Sequence, residues 1–118
     1  MTVGEFCNRE VVIASQEETI IEIAKLMRKH HVGDVVIVDR SKAPPMPIGM
    51  ITDRDIVVEL IAAEVQLDAV TVGDAMSREL VTVREEEGIW ECLQRMRIRG
   101  VRRVPVVNRD GISNSINL

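Results

Sequence analysis

The sequence predicts an α/β fold of the α+β kind. Two tandem β-α-β-β-α repeats would be related by pseudo-twofold symmetry, with small mixed sheets and helices packed on one side. Three observations carry this expectation. The chain repeats itself at a fixed offset, each repeat holds short β-branched apolar runs, and each holds one apolar stripe at helical spacing.

Residues 2–40 align with residues 71–109 without a gap, and sixteen of the 39 positions are identical. Chance would give about two or three at typical residue frequencies. Thr2-Val3-Gly4 returns as Thr71-Val72-Gly73, Arg9-Glu10 as Arg78-Glu79, and Met27-Arg28 as Met96-Arg97. The chain is therefore expected to divide into a first repeat over 1–70 and a second over 71–118.

The elements follow in order. Val11-Val12-Ile13-Ala14 is short, apolar and β-branched, the pattern of a buried strand. Ser15 and Glu18 form an S-x-x-E pattern, a capping box expected to open a helix. Ile20, Ile23, Ala24 and Met27 then fall on one helical face. The second repeat writes the same stripe as Ile89, Cys92, Leu93 and Met96, so Cys92 stands where Ile23 does and reads as a packed thiol. A second buried strand, Val35-Val36-Ile37-Val38, ends at Asp39. After the proline-rich loop Ala43-Pro44-Pro45-Met46-Pro47 comes a third strand, Ile48-Gly49-Met50-Ile51. Thr52 and Asp55 make another capping box, opening a helix from Ile56 to about Glu64.

The second repeat is expected to lack its last strand and helix. At the same offset the counterpart of Gly49 is Leu118, and nothing matches Thr52, Asp55 or the helix after them. The stretch Ile112–Leu118 is polar, without strand period, and reads as a truncated end or a scar left by cloning.

Composition narrows the function. A chain of 118 residues builds one compact domain. One Phe, one Trp and no Tyr leave no aromatic platform for stacking bases, and a net charge of −4 does not attract nucleic acid or acidic lipid. Arg95, Arg97, Arg99, Arg102, Arg103 and Arg109 cluster in sequence, but their spacing scatters them over several faces, which favours solvated arginines over a nucleic-acid stripe. Two cysteines, no signal segment and no apolar run of membrane length point to a reducing cytoplasm and no membrane. His30 and His31 are adjacent, so on a helix they point about 100° apart and share no metal. No zinc spacing, phosphate-binding glycine loop, activated serine or acid/base carboxylate pair is present, so no catalytic residue is assigned and no cofactor is required.

The segment Gly49-Met50-Ile51-Thr52-Asp53-Arg54-Asp55-Ile56, following His31-Val32-Gly33, resembles the signature of cystathionine-β-synthase-type (CBS) domains. Gly100-Val101-Arg102-Arg103-Val104-Pro105-Val106-Val107 is similar to the same family's helix-to-strand passage. The resemblance covers nearly the whole chain up to Gly111 and implies a Bateman module, a domain pair with a ligand cleft on either side. It implies that one cleft joins Thr52 and Asp55 to Leu80, Val81 and Thr82 and to Arg102, Arg103, Val104 and Pro105. There Asp55 would hold ribose hydroxyls, Thr52 would lie near phosphate, and strand backbone would bracket adenine. The other cleft would use Val11-Val12-Ile13 and Gly33-Asp34-Val35-Val36, with no Thr/Asp pair.

The chemistry of these residues agrees with that role. A hydroxyl at a helix start sits beside free N–H groups and the positive end of the dipole. A carboxylate accepts from both hydroxyls of a ribose, and arginines hold phosphate. Thr52 and Asp55 also serve as helix caps, and Arg102 and Arg103 also fit a solvated edge. The expected function is a regulatory module sensing an adenine nucleotide (AMP, ADP or ATP) or a related adenosyl ligand, working as a homodimer or on a regulated protein in trans. The alternatives are a dimerisation or docking module with a vestigial site and, further off, a nucleic-acid binder.

Overall fold

The computed structural model of the chain describes residues 1–7 and 11–117. Arg9 and Glu10, part of the sequence repeat, and Leu118 lie outside the described residues. Elements run in the order α1 (Val3–Phe6), β1 (Ile13–Ser15), α2 (Ile20–His30), β2 (Asp34–Val38), β3 (Pro47–Thr52), and α3 (Asp53–Asp55), which continues as a π-helical stretch Ile56–Ile61. A 3-10 turn Leu67–Ala69 leads to α4 (Val72–Ala75), β4 (Val83–Arg84), α5 (Ile89–Arg99), β5 (Arg103–Asn108) and β6 (Gly111–Asn117).

Each repeat builds one three-stranded mixed sheet, ordered β1-β2-β3 and β4-β5-β6. The first pair of each is parallel and the second antiparallel, as expected when a helix links the first two strands and a hairpin the last two. The helix stripes bury Ile20, Ile23 and Met27 on α2, and Ile89, Cys92 and Met96 on α5. Ala24 is exposed, and Leu26 packs against the core from the neighbouring turn. Burial raises the Cys92 thiol above its ordinary range, which suits a packing role.

The Ser15–Glu18 pattern does not open the helix. Glu18 does accept the Ser15 N–H at 2.6 Å, but this closes a turn, and α2 begins only at Ile20. Thr19 is the N-cap, its Oγ1 accepting the Glu22 N–H at 3.1 Å. The Thr52–Asp55 box is complete: Asp55 N–H donates to Thr52 Oγ1 at 3.1 Å, and Thr52 N–H to Asp55 Oδ2 at 3.0 Å.

The second repeat has its third strand after all. Gly111–Asn117 forms β6 and pairs along the whole of β5, from Arg103 opposite Asn117 to Asn108 opposite Gly111. The 69-residue offset fails here because the two hairpins differ in length. Asn117 faces the first residue of β5 as Thr52 faces the first residue of β2, four positions earlier than that offset places it. Asp110 N–H donates to Asn108 Oδ1 at 2.8 Å in the tight turn, and Gly111 takes φ +101° there. A Cβ on Gly111 would lie 2.2 Å from the Pro45 carbonyl oxygen, so glycine also lets the two repeats' hairpin loops touch. Strand β6 needs no apolar period, because a central partner supplies its hydrogen bonds; Asn114 and Ser115 are buried there. Val104 and Val106 are consequently covered within the chain.

The packing units also differ from the sequence repeats. Val3 and Gly4 donate their N–H groups to the carbonyls of Glu87 and Glu85, and Val3 is fully buried in the second repeat's core. Val72 and Gly73 donate to Glu18 and Gln16, and Val72 is fully buried in the first repeat's core. Each leading segment thus completes the other repeat, which interlocks the two halves. The swap places β3 beside the second repeat as well: Met50 and Ser77 exchange backbone hydrogen bonds of 2.9 and 3.0 Å.

Candidate functional site

A cavity of about 190 Å³ opens where β3 and α3 of the first repeat meet the second repeat. Its walls are Met50, Thr52 and Asp55 on one side, and Ser77, Glu79, Leu80, Val81, Val101, Arg102 and Arg103 on the other. Thr52 is held here because strand β3 ends at it and its capping box starts the helix. Asp55 spends Oδ2 on that cap; its other oxygen carries no hydrogen bond among the described residues. Thr52 and Asp55 are both half-buried, and Arg102 stands in solvent at the mouth.

Six of the nine residues expected at the site thus surround one cavity: Thr52, Asp55, Leu80, Val81, Arg102 and Arg103. Three do not line it. Val104 alternates inward along β5 and is fully buried in the second core. Pro105 is buried within the sheet, in register with Ser115. The Thr82 carbonyl accepts from Arg95 Nη1 at 3.3 Å, and the same guanidinium holds Glu87 at 3.2 Å. That arrangement ties down the segment carrying Leu80 and Val81.

Sequence reasoning missed Met50, Ser77, Glu79 and Val101. Ser77 and Glu79 stand in the segment after α4 that docks on β3, a contact with no local sequence signal. Gly49 was a signal in hindsight: a Cβ there would lie 2.6 Å from Met76 Sδ and 2.7 Å from the Ser77 carbonyl oxygen. Only glycine admits so close an approach.

The electrostatics are mixed. Arg102 and Arg103 share one wall with Glu79, and Asp55 stands on the other. Arg103 is committed elsewhere too, since its Nε lies 2.9 Å from Asp34 Oδ2 of the first repeat. Burial raises the Asp34 carboxyl above its ordinary value; Arg103 draws it back down, and the nearby Asp53 pushes it up.

A second cavity of about 310 Å³ lies on the other side of this ion pair, lined by Val11, Val12, His30, His31, Val32, Gly33, Asp34, Val36, Arg103 and Ser115. It corresponds to the other expected cleft, although Ile13 and Val35 do not line it and both histidines join its wall. His31 stands at the left-handed C-cap of α2, where the second repeat has Gly100.

The profile of the CBS domain family matches residues 3–62 and again 72–116. An uncharacterised protein of Methanopyrus kandleri is 39% identical over 94% of this chain, which spans 55% of that relative, about half its length. The crystal structure of Hypoxic Response Protein I with two coordinated zinc ions is 29% identical, with a TM-score of 0.82 over 99% of this chain and 92% of that one. The CBS domain pair of protein MJ0100, in complex with 5′-methylthioadenosine and S-adenosyl-L-methionine, superposes with a TM-score of 0.80 over 99% of this chain and 89% of that one; at 24% identity it bears on the fold alone.

Proposed function

Because the chain belongs to the CBS domain family, we propose that it is a non-catalytic regulatory module that binds an adenosyl ligand in the Thr52–Asp55 cleft. The observation that carries this reading is the convergence on one cavity of a capped helix start, a free carboxylate oxygen and two arginines, drawn from both repeats. The cap offers a hydroxyl beside the helix start, Asp55 accepts from ribose hydroxyls, and Leu80 and Val81 supply an apolar wall for a flat base. The MJ0100 pair, which shares this fold, holds two compounds of the adenosyl class proposed for this chain. Adenine nucleotides (AMP, ADP, ATP) and other adenosyl compounds are the candidates.

Assembly and place belong to the same reading. Val57, Val58 and Ile61 are half exposed on the π-helical stretch, an apolar face that favours a homodimer or a regulated protein in trans. No helix among the described residues is long and apolar enough to cross a membrane. Cys7 and Cys92 are both free, in keeping with the cytoplasm. Among the described residues no group of three or more His, Cys, Asp or Glu converges.

A thermal-shift series with adenosine, AMP, ATP, 5′-methylthioadenosine and S-adenosylmethionine tests the reading. A ligand at 100 times its dissociation constant adds about 2.7 kcal/mol of stability. Stabilisation by one or more of the five that is lost in Asp55→Ala supports the cleft. No shift with any of them at millimolar concentration refutes it.

A further inference from the structure

Asp34 and Arg103 open strands β2 and β5, so they hold the same position in the two repeats. The pseudo-twofold brings them face to face, and the repeats have diverged there to opposite charges 2.9 Å apart. Among the described residues Arg103 alone lines both cavities, whereas Asp34 lines only the second. The Arg103 side chain is 40% exposed and that of Asp34 18%. The carboxylate is therefore the more costly of the two to leave unpaired, because less water reaches it.

We propose that Asp34 is a specificity-determining residue of the Thr52–Asp55 cleft: its carboxylate competes with the ligand for Arg103 and so biases the cleft toward uncharged adenosyl ligands over phosphorylated ones. The inference rests on reading that cleft as a ligand site. Asp34 holds Nε and already neutralises the guanidinium, so a phosphate at the remaining N–H donors gains less from its charge, and one that draws Arg103 away leaves Asp34 facing Asp53 without its counter-ion. Glu79 on the cleft wall repels the same phosphate.

The test is calorimetric titration of adenosine, AMP and pyrophosphate, at low salt, into the wild type, Asp34→Asn and Asp34→Asn/Arg103→Gln. Asp34→Asn raises the ratio of AMP to adenosine affinity about two- to fivefold, the scale of a partly exposed ion pair. The double variant returns the ratio to the wild-type value or below. An unchanged ratio in Asp34→Asn overturns the proposal. If neither adenosine nor AMP binds any of the three proteins, the ligand reading itself fails, and pyrophosphate decides the competition. Tighter pyrophosphate binding in Asp34→Asn alone upholds it, and equal binding across the three overturns it. Circular dichroism confirms folding, and Asp34→Ser is read in the same way should Asp34→Asn not fold.

Discussion

Replacing Asp55 separates the two roles that its position gives it. Its Oδ2 accepts the Thr52 N–H at 3.0 Å, while its own N–H donates to Thr52 Oγ1 at 3.1 Å. Asp55→Ala removes the first bond and keeps the second. Loss of one capping bond costs about 1 kcal/mol, or roughly 4 °C in Tm for a chain of this size. Binding loses more, because Oδ1 is the oxygen left to receive ribose hydroxyls: about 1.5–3 kcal/mol for hydrogen bonds to a charged group, or roughly 10- to 150-fold in affinity. Calorimetric titration with adenosine reads the second quantity, at a temperature where the melting curve shows the variant folded. Asp55→Asn keeps a carbonyl oxygen for the cap and loses the charge, so it recovers the Tm while binding stays weakened. An Asp55→Ala protein that melts lower and still binds within twofold of the wild type would confine Asp55 to capping.

Two further predictions address the frame that holds the site. Val3→Ala and Val72→Ala each remove two methyl groups from a fully buried position in the opposite repeat's core, and each is expected to cost about 2 kcal/mol. Urea denaturation should show one shared transition for both variants, and a loss under about 0.5 kcal/mol for Val3→Ala would refute the interlocked packing. The second concerns acid. Burial pushes the Glu87 carboxyl up, but hydrogen bonds from Arg95 and the Arg84 N–H outweigh it and set the value below the ordinary 4.5. A carboxyl lowered on folding stabilises above that value and loses its contribution as pH falls through its native range. The wild type should therefore exceed Glu87→Gln by about 0.5–1 kcal/mol at pH 6, with the gap closing below about pH 4.5; a gap that widens in acid contradicts the pairing with Arg95.

Much of this was legible in the residues. The strand runs around Ile13 and Val35–Val38, the stripes through Ile20 and Ile89, and the Thr52–Asp55 cap all sit where their spacing puts them. Thr19 displaced Ser15 as the helix cap because an S-x-x-E pattern closes a turn as readily as it opens a helix. Val104 and Pro105 fell outside the site for a different reason. Residues of a buried strand are committed to core or sheet, and the cavity opens at the strand's entrance, where Arg102 and Arg103 stand.

By itself the sequence determined the duplication, the two sheet-and-helix units and the helix cap that anchors the cleft. Those features follow from local period and from likeness between distant stretches, both of which a chain carries in its residue order. Tertiary structure alone decided three others: the exchange of Val3 and Val72 between cores, the strand Gly111–Asn117, and the Asp34–Arg103 pair. Identical leading segments do not reveal which core each one enters. A strand completed by its neighbour's backbone needs no apolar alternation of its own. Two opposite charges 69 residues apart become partners only when the pseudo-twofold axis brings equivalent positions together.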